Sequence, residues 1–319
     1  MSVLERLGIE KPIIQAGMGP AISRHRLAAA VSEAGGLGTI AVQGAAAIER
    51  EIRAARSLTS RPIAVNVILH YARPSWFRAA EQADVVVTFW GVPRRRTSGV
   101  WIHQAGSVGE AQAAKAAGAD AVMVQGVEAG GHVRGTIPAM ELLDRVKSAV
   151  GRDYPLFVAG GIAELVDVER ALDAGATAAV AGTRFLLSDE ADAHPEYKAR
   201  ALAADRTILT ELFGFSWPAP HRVLPNAATE RQLSPEGVVP LVNRFLNHAS
   251  GLGARYAPSS VTRSLVSRQE PASRALTPYT PDDRSPASLV DAGPLYAGET
   301  VKRIHSLMPA AEIVAALTP

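Results

Sequence analysis

Short apolar runs alternate with stretches of helical spacing along the chain as far as residue 181. Eight runs have the length and composition of buried β-strands, at 12–16, 37–41, 62–67, 85–88, 99–103, 121–125, 156–159 and 178–181. Apolar positions on one helical face predict helices between most of them, at 24–34, 45–57, 75–82, 107–117, 138–150 and 164–174. Residues 89–98 predict a loop with little helix, so the fourth and fifth strands are joined without one.

This alternation decides the fold class. Strands that alternate with helices favour a parallel α/β sheet, and eight such units are what a closed (β/α)8 TIM barrel needs. The rival is an open doubly wound sheet, but its glycine fingerprint GxGxxG is missing after the first strand. In a barrel the chemistry lies in the loops that follow the strands, so these loops are where functional residues are expected.

The character of the chain changes after about residue 205. We predict a barrel over 1–210, a smaller C-terminal lid or covering segment over 211–292, and helices that return to the barrel over 293–319. Within the covering segment, 235–249 predicts a helix, whereas 250–292 is rich in Ser, Pro and Arg. Residues 213–217 are candidates for a wall of the substrate pocket, although packing is the simpler role for most of them.

Composition narrows the class of protein. The 33 basic residues nearly balance the 31 acidic ones, which argues against nucleic acid or a membrane surface as partner. The chain has no cysteine, which excludes disulfides and thiolate metal sites. The first residues lack the apolar core of a signal peptide, and no apolar run reaches about 18 residues. A cytoplasmic protein is therefore expected.

Three strand ends carry glycines suited to a ligand. After the sixth strand, 125–132 reads QGVEAGGH, in which paired glycines permit a close backbone approach and a histidine follows. After the seventh strand stand Gly160 and Gly161, and after the eighth Gly182 and Thr183. The last two loops are the usual phosphate site of barrel enzymes, where glycine N–H groups and a helix N-terminus bind the anion. A tight turn is the alternative for each glycine pair.

Taken together, four motifs resemble the nitronate monooxygenase family, formerly called 2-nitropropane dioxygenases. They are QAGM at 15–18, QGVEAGGH at 125–132, AGGI at 159–162 and AGTRF at 181–185. The resemblance covers residues 8 to about 210, then 293–298 and the final helix. The glycine–histidine motif is shared with the flavin-dependent enoyl-acyl-carrier-protein reductases, so it identifies the cofactor better than the reaction. The resemblance implies an FMN-binding barrel with a smaller lid.

The resemblance also implies roles for individual residues. His132 corresponds to the catalytic histidine. The residues expected to bind FMN are Ala16, Gly17, Met18, Asn66, Gln125, Gly130, Gly131, Gly160, Gly161, Gly182 and Thr183. Gly17 stands where family members usually have proline. Structural roles compete with several of these: Met18 in packing, Asn66 in a turn, Gln125 at a strand end and His132 at a helix cap.

The activity implied by the resemblance is oxidation of nitronates or nitroalkanes with dioxygen, giving a carbonyl compound and nitrite. A neutral imidazole at His132 would accept a proton from the carbon beside the nitro group or hydrogen-bond the anion. Three alternatives stay open at this point. They are an NAD(P)H-dependent FMN reductase of an enoyl thioester or quinone, a non-catalytic flavin- or phosphate-binding barrel, and a flavin-free barrel such as an isomerase.

Two features outside the motifs have open interpretations. Arg94, Arg95 and Arg96 follow the fourth strand, either as a solvated loop or to attract an anionic substrate such as a carboxylated nitronate, a coenzyme A thioester or a carrier protein. His103 ends the fifth strand, either bonded to a backbone carbonyl or in reach of the flavin. A homo-oligomer is left open.

Overall fold

Eight parallel strands close into a barrel in the computed structural model, which describes residues 3–234, 237–254 and 264–319. The strands are β1 Ile13–Gln15, β2 Gly38–Ile40, β3 Ile63–Ile68, β4 Val85–Phe89, β5 Val100–Ala105, β6 Ala121–Gln125, β8 Leu156–Ala159 and β9 Ala178–Ala181. Their order is β1-β9-β8-β6-β5-β4-β3-β2. Leu37, just before β2, closes the ring by bridging Ile14 of β1, with backbone N···O distances of 2.9 Å on both sides. The predicted (β/α)8 TIM barrel is confirmed.

Helices lie between most of the barrel strands, as the spacing predicts, and further helices precede the first strand and follow the last. In chain order, the helices of the described residues include α1 Val3–Leu7, α2 His25–Glu33, α3 Ala45–Arg56, α4 Pro74–Ala80, α5 Val108–Ala116, α6 Ala139–Val150, α7 Leu165–Asp173, α8 Thr183–Leu186, α9 Pro195–Ala203, α10 Ala227–Gln232, α11 Leu241–Ala254, α12 Ser288–Ala292 and α13 Ala310–Leu317, with a 3₁₀ helix at Glu299–Arg303. The chain between β4 and β5 contains no helix, as expected. Across the described ranges, no helix combines the length and apolar character needed to span a bilayer.

The helix predicted over 235–249 is wrong at both ends. It begins at Leu241, whereas 237–240 is non-helical and 235–236 lie outside the described residues. Pro240 accounts for the start, because proline lacks an N–H and is tolerated in the first turn of a helix but not inside it. The helix then continues past Gly251 and Gly253 to Ala254, which shows that these glycines do not end it.

Side chains from alternate strand positions fill the barrel interior. The interior cluster consists of Ile14, Leu37, Ala64, Val85, Val87, Ile102, Ala121, Met123, Phe157, Ala159, Ala178 and Val180, together with Val3 and Ile9 of the N-terminal segment. The intervening positions face the helices, because successive side chains of a strand point to opposite sides of the sheet. Position along a strand therefore decides whether a side chain reaches the barrel interior.

A second, antiparallel sheet joins the C-terminal part of the chain to the barrel. It consists of β7 Gly131–His132, β10 Ile208–Thr210 and β11 His221–Val223, in the order β10-β11-β7. His221 pairs with His132, and Arg222 with Gly131. The loop after β6 is thus hydrogen-bonded to the segment that follows the barrel. The division of the chain at residues 210 and 292 stays a prediction.

Candidate active site

A cavity of about 970 Å³ opens at the carboxyl ends of the barrel strands. All twelve predicted site residues line it: Ala16, Gly17, Met18, Asn66, Gln125, Gly130, Gly131, His132, Gly160, Gly161, Gly182 and Thr183. They come from β1, β3, β6, β8 and β9 or from the loops that follow these strands. Residues that are far apart in sequence therefore meet around one space.

The side chain of Gln125 shapes the glycine–histidine loop. Its Nε2 donates to the carbonyl oxygen of His132 at 3.1 Å, and its Oε1 accepts from the backbone N–H of Arg134 at 2.8 Å. Both ends of the amide thus hold the loop in which His132 lies. These bonds favour a structural role for Gln125, although one Nε2 proton is not used by them.

Glu128 of this loop is not among the predicted site residues, yet it lines the cavity. Its carboxylate accepts from the backbone N–H of Ala139, at 2.9 and 3.1 Å, where α6 begins. A carboxylate at a helix start satisfies an unpaired N–H and interacts favourably with the helix dipole. The carbonyl oxygen of Glu128 accepts from Glu299 at 3.0 Å, which attaches the loop to the 3₁₀ helix. Glu128 lies eleven positions before α6, so only the folded chain brings its carboxylate to the start of that helix.

The two adjacent glycines of the loop meet different surroundings. A Cβ on Gly130 would lie 2.5 Å from the nitrogen of Gly298 and 2.6 Å from the carbonyl carbon of Ala297. A Cβ on Gly131 would meet nothing within 4 Å, but its φ is +75°. Close packing against the C-terminal segment therefore explains Gly130, whereas backbone conformation explains Gly131.

Gly130→Ala is expected to lower the free energy of unfolding by about 3 kcal/mol, because backbone atoms cannot yield to the added methyl. Gly131→Ala is the matched control, for which the left-handed conformation costs ~1–2 kcal/mol. Urea unfolding of the two variants and the wild type measures the difference. Equal stability of the two variants would show that the contact with Gly298 does not require glycine.

His132 has an imidazole that is held uncharged. The ring is half-buried and stacks on the indole of Trp217, with centroids 3.6 Å apart and planes at 13°. Among the described residues, its buried Nε2 has no hydrogen-bond partner. Burial, reinforced by the neighbouring His221 and His70, lowers the pKa of His132 well below the usual 6.5. The imidazole is therefore neutral at pH 7 and can accept a proton.

His221, 5.4 Å from His132 between ring centroids, is locked in its neutral form. Its Nδ1 lies 2.8 Å from the carbonyl oxygen of Ala219, to which it donates, and its Nε2 accepts from the N–H of Phe213 at 3.2 Å. A second proton would remove the acceptor that Phe213 uses. Burial, partly offset by the bond to Ala219, lowers the pKa of His221 to about 4.

This buried histidine predicts a loss of stability in acid. The unfolded chain binds a proton at His221 below about pH 6.5, whereas the folded protein does so only below about pH 4. As the pH is lowered from about 6.5 to about 4, the free energy of unfolding therefore decreases, and His221 accounts for about 3 kcal/mol of that decrease. His221→Gln should remove that part of the pH dependence, which urea unfolding at pH 7.5 and pH 4.5 measures. An unchanged pH dependence in the variant would contradict the assignment.

Asn66 and Gly17 lie against each other at the cavity. The Oδ1 atom of Asn66 is buried without a hydrogen-bond partner in the described part of the chain. A Cβ on Gly17 would lie 2.6 Å from the Cβ of Asn66. Any side chain at position 17, proline included, would therefore displace Asn66. An unsatisfied buried acceptor beside a cavity suits a ligand that brings its own donor.

The strand ends after β8 and β9 offer backbone N–H groups. Gly160 and Gly161 have φ of +108° and +79°, conformations that favour glycine. No acceptor within the described ranges takes the N–H of Gly160, Gly161 or Gly182. The Oγ1 of Thr183 accepts from Gly298 at 2.9 Å, which leaves its hydroxyl proton for another partner.

The predicted contribution of a helix N-terminus after β8 is corrected by the structure. Ala163 and Glu164, just before α7, donate their N–H groups to the carboxylate of Asp167 at 2.9 and 3.1 Å. Asp167 also accepts from Arg303 at 2.8 Å. The start of α7 is therefore already occupied by a side chain, and the glycine N–H groups are what remains for an anion.

The fifth strand sends Gln104, rather than His103, into the cavity. His103 is 1% exposed on the helix side of β5, where its Nδ1 hydrogen-bonds Thr88 Oγ1 at 2.8 Å. The prediction that His103 could reach a flavin is therefore wrong. The hydrogen-bond partner of His103 is a hydroxyl group rather than a backbone carbonyl. Gln104, one position further, lines the cavity. The alternation of side chains along a strand was the signal that would have found it.

The three arginines after β4 do not line the cavity. Arg95 donates to the carbonyl of Gly99 at 2.9 Å and to Asp120 at 3.0 Å, next to the amino ends of β5 and β6. The cavity opens at the opposite ends of these strands. Arg94 is exposed, and Arg96 lies 5.4 Å from the ring centroid of Phe77. The proposed attraction of an anionic substrate by this loop is therefore wrong.

Aromatic side chains from several segments complete the cavity wall. Within the stretch 213–217, Phe215 and Trp217 line the cavity, whereas Phe213 is buried in a separate apolar cluster. The other aromatic lining residues are not among those predicted from the sequence; they are Tyr71, Trp76, Phe89, Tyr197, Tyr279 and Tyr296. Apart from Tyr296, which lies in the matching stretch 293–298, they belong to no motif, and only the folded chain brings them together.

Comparison with known proteins agrees with this geometry. A family model described as nitronate monooxygenase matches residues 2–88 and 76–319. The nitronate monooxygenase of Pseudomonas aeruginosa is 34% identical over 292 residues, which cover 74% of this chain and 82% of that protein. In Rhodococcus jostii, (3aS,4S,5R,7aS)-5-hydroxy-7a-methyl-1-oxo-octahydro-1H-indene-4-carboxyl-CoA dehydrogenase is 33% identical over 246 residues, covering 70% of this chain and 65% of that protein.

Solved structures show the same similarity over nearly the whole chain. FabK from Thermotoga maritima superposes with a TM-score of 0.76 at 28% identity, covering 99% of this chain and 94% of that one. Nitroalkane oxidase from Streptomyces ansochromogenes gives 0.73 at 29% identity, covering 99% and 96%. With the family model matching both halves of the barrel and the segment beyond it, the chain belongs to the nitronate monooxygenase family of flavin-dependent oxidoreductases.

Proposed function

We propose that this protein is an FMN-dependent nitronate monooxygenase, which oxidises nitronates or nitroalkanes with dioxygen to a carbonyl compound and nitrite. The observation that carries the proposal is the neutral imidazole of His132 at the edge of a cavity that also contains the unsatisfied Oδ1 of Asn66 and the glycines after β8 and β9. A base and a set of cofactor-binding groups thus border the same space.

The residues of this cavity fit FMN. Asn66 Oδ1 would accept a hydrogen bond from the flavin ring, and Gly131, with open space at its Cα, permits a close backbone approach. The N–H groups of Gly160, Gly161 and Gly182, with the hydroxyl of Thr183, would hold the phosphate. Ala16, Gly17 and Met18 would run along the ring. A mononucleotide is favoured because these phosphate-binding groups lie in two adjacent loops at the cavity.

The protein residues would bind the substrate and move its proton. His132 accepts the proton from the carbon beside the nitro group, for which a neutral imidazole is required, or hydrogen-bonds a nitronate that is already formed. The aromatic wall formed by Trp217, Tyr71 and Tyr296 limits the access of water to that carbon. FMN, when bound, supplies the electron transfer from substrate to dioxygen.

The cavity suits a small anionic substrate because an arginine lines it, although not one of the three that the sequence suggested. Arg73, which follows β3, is exposed and lines the cavity, unlike Arg94, Arg95 and Arg96. A guanidinium at this position favours the approach of a nitronate or a carboxylated nitroalkane.

The second candidate is an NAD(P)H-dependent reductase of a thioester or quinone. The size of the cavity favours it, because about 970 Å³ lies at the upper end of the range for small-molecule sites. A relative that is 33% identical is named as the dehydrogenase of a coenzyme A thioester. Both candidates use the same glycine loops and the same histidine, so they differ in the electron donor and the electron acceptor: nitronate and dioxygen in one, NAD(P)H and a thioester or quinone in the other.

Anaerobic mixing of the purified protein distinguishes the two. We expect a nitronate to bleach the flavin absorbance and NADPH to leave it unchanged, with nitrite appearing once air is admitted. Bleaching by NADPH alone would favour the reductase and contradict the monooxygenase. Mass spectrometry of the released cofactor identifies it, and a cofactor other than FMN would contradict that part of the proposal.

A further inference from the structure

The indole of Trp217 covers one face of the proposed catalytic imidazole. Its ring centroid lies 3.6 Å from that of His132, with only 13° between the planes, and Trp217 itself is 5% exposed. The indole also meets the rings of His70, Tyr71 and Trp90, at 5.7, 5.6 and 5.5 Å. The stacked pair is thus enclosed in an aromatic cluster drawn from the ends of β3 and β4.

The residue before the indole is held in a strained conformation by hydrogen bonds. Ser216 has a φ of +78°, which is costly for a residue with a side chain. Its Oγ lies 3.1 Å from the hydroxyl of Tyr71, its carbonyl oxygen 3.2 Å from Nε2 of His70, and its N–H donates to Ser250 Oγ at 2.8 Å. Such strain persists only where surrounding contacts hold it, so the position of Trp217 is built into the fold.

The surroundings of His132 do not stabilise a charged ring. The titratable and charged groups nearest to it are His221 at 5.4 Å and Tyr296 at 5.5 Å, with His70 beyond Trp217 and the guanidinium of Arg134 4.7 Å above Trp90. None of these is a carboxylate. Nε2 is buried without a partner among the described residues, and the indole covers one face of the ring that carries it.

We propose that Trp217 is a positioning residue, whose indole fixes the plane of the His132 imidazole and keeps water from Nε2 until substrate enters. The inference rests on the proposed function for the identity of the substrate, whereas the shielding is a property of the chain itself. Trp217 does not take part in proton transfer. It acts through His132, by keeping the base uncharged and oriented between turnovers.

The shielding is tested by the titration of histidine ring resonances in the flavin-containing protein, from pH 5 to 8.5 by NMR. His132 is assigned by its absence from the His132→Asn spectrum. We expect no titration of His132 in the wild type, and a midpoint within about one unit of 6.5 in Trp217→Ala, where water reaches the ring. Trp217→Phe should behave as the wild type, because a stacked ring remains.

Trp76→Ala is the matched control, since Trp76 lines the same cavity without a ring contact to His132, and His132 should stay silent in it. Circular dichroism checks folding. If Trp217→Ala does not fold, Trp217→Leu carries the same expectation with less lost volume. Titration of wild-type His132 near 6.5, or a silent His132 in the folded variant, would overturn the proposal.

Kinetics give a second readout. With a neutral nitroalkane as substrate, the ratio of kcat/KM for Trp217→Ala to that of the wild type should fall about tenfold between pH 8 and pH 5.5, because an imidazole with a pKa near 6.5 is mostly protonated at the lower pH and cannot act as a base. Taking the ratio at each pH removes the titration of the nitroalkane itself. A changed NMR titration without nitronate oxidation would support the shielding and contradict the proposed function. Nitronate oxidation with an unchanged NMR titration would support the proposed function and contradict the shielding.

Discussion

His132→Ala is expected to lower kcat for a neutral nitroalkane by about 10²–10⁴-fold, the range that a positioned general base contributes. For a nitronate that is already formed, the expected loss is about tenfold, because only a hydrogen bond to the anion is removed. The pKa of His132 lies well below 6.5, so the imidazole is ready to accept a proton throughout the neutral range. Nitrite release from the two substrate forms, compared at the same pH, measures the difference.

His305→Ala is the matched control, because that histidine is exposed and does not line the cavity. It should keep the activity of the wild type. Flavin content should be unchanged in both variants, since the groups proposed for the phosphate are elsewhere. A His132→Ala enzyme that oxidises the nitroalkane at the rate of the wild type would show that the substrate loses its proton by another route.

Gly182→Asp is expected to weaken FMN binding by roughly 30- to 1,000-fold. A carboxylate beside the phosphate costs roughly 2–4 kcal/mol at the effective dielectric of a partly buried site, where unit charges 4 Å apart interact by ~4 kcal/mol. The backbone tolerates a side chain here, because the φ of Gly182 is −106° and its Cβ would meet only Ala16, at 3.6 Å. Fluorescence titration of the stripped protein with FMN measures the affinity.

Gly182→Asn supplies the control, since it has the same shape without the charge. Its affinity should stay within a few-fold of the wild type, and the gap between the two variants should narrow at high salt as the charges are screened. Equal affinities of the Asp and Asn variants would show that the phosphate lies away from Gly182, and the proposed site between β8 and β9 would then be abandoned.

The barrel and the set of lining residues could be predicted because their signals are local. The strands are predominantly apolar runs, as expected where both faces of a parallel sheet are buried. The glycines at 160–161 and 182 directly follow strand ends, those at 130–131 lie in the loop after β6, and a barrel brings the loops after all its strands to one face. Knowing the fold was therefore enough to place these loops around a single cavity.

The contacts within the site could not be predicted, because they depend on side-chain direction and on distant segments. His103 and Gln104 are neighbours in sequence, yet they lie on opposite sides of β5. Arg95 reaches the far end of the barrel because its loop runs back without a helix. Trp217 stacks on a residue 85 positions earlier, and no periodic pattern records such a pairing.

The pairing of Gly131–His132 with His221–Val223 has a consequence for engineering. A truncated chain that stops at residue 210 would retain every barrel strand, yet the short strand that contains His132 would lose its only neighbour in the described sheet. Exchanging the C-terminal third between homologues would likewise re-aim the histidine while changing the substrate wall. The same C-terminal segment therefore affects both the orientation of His132 and the shape of the substrate wall.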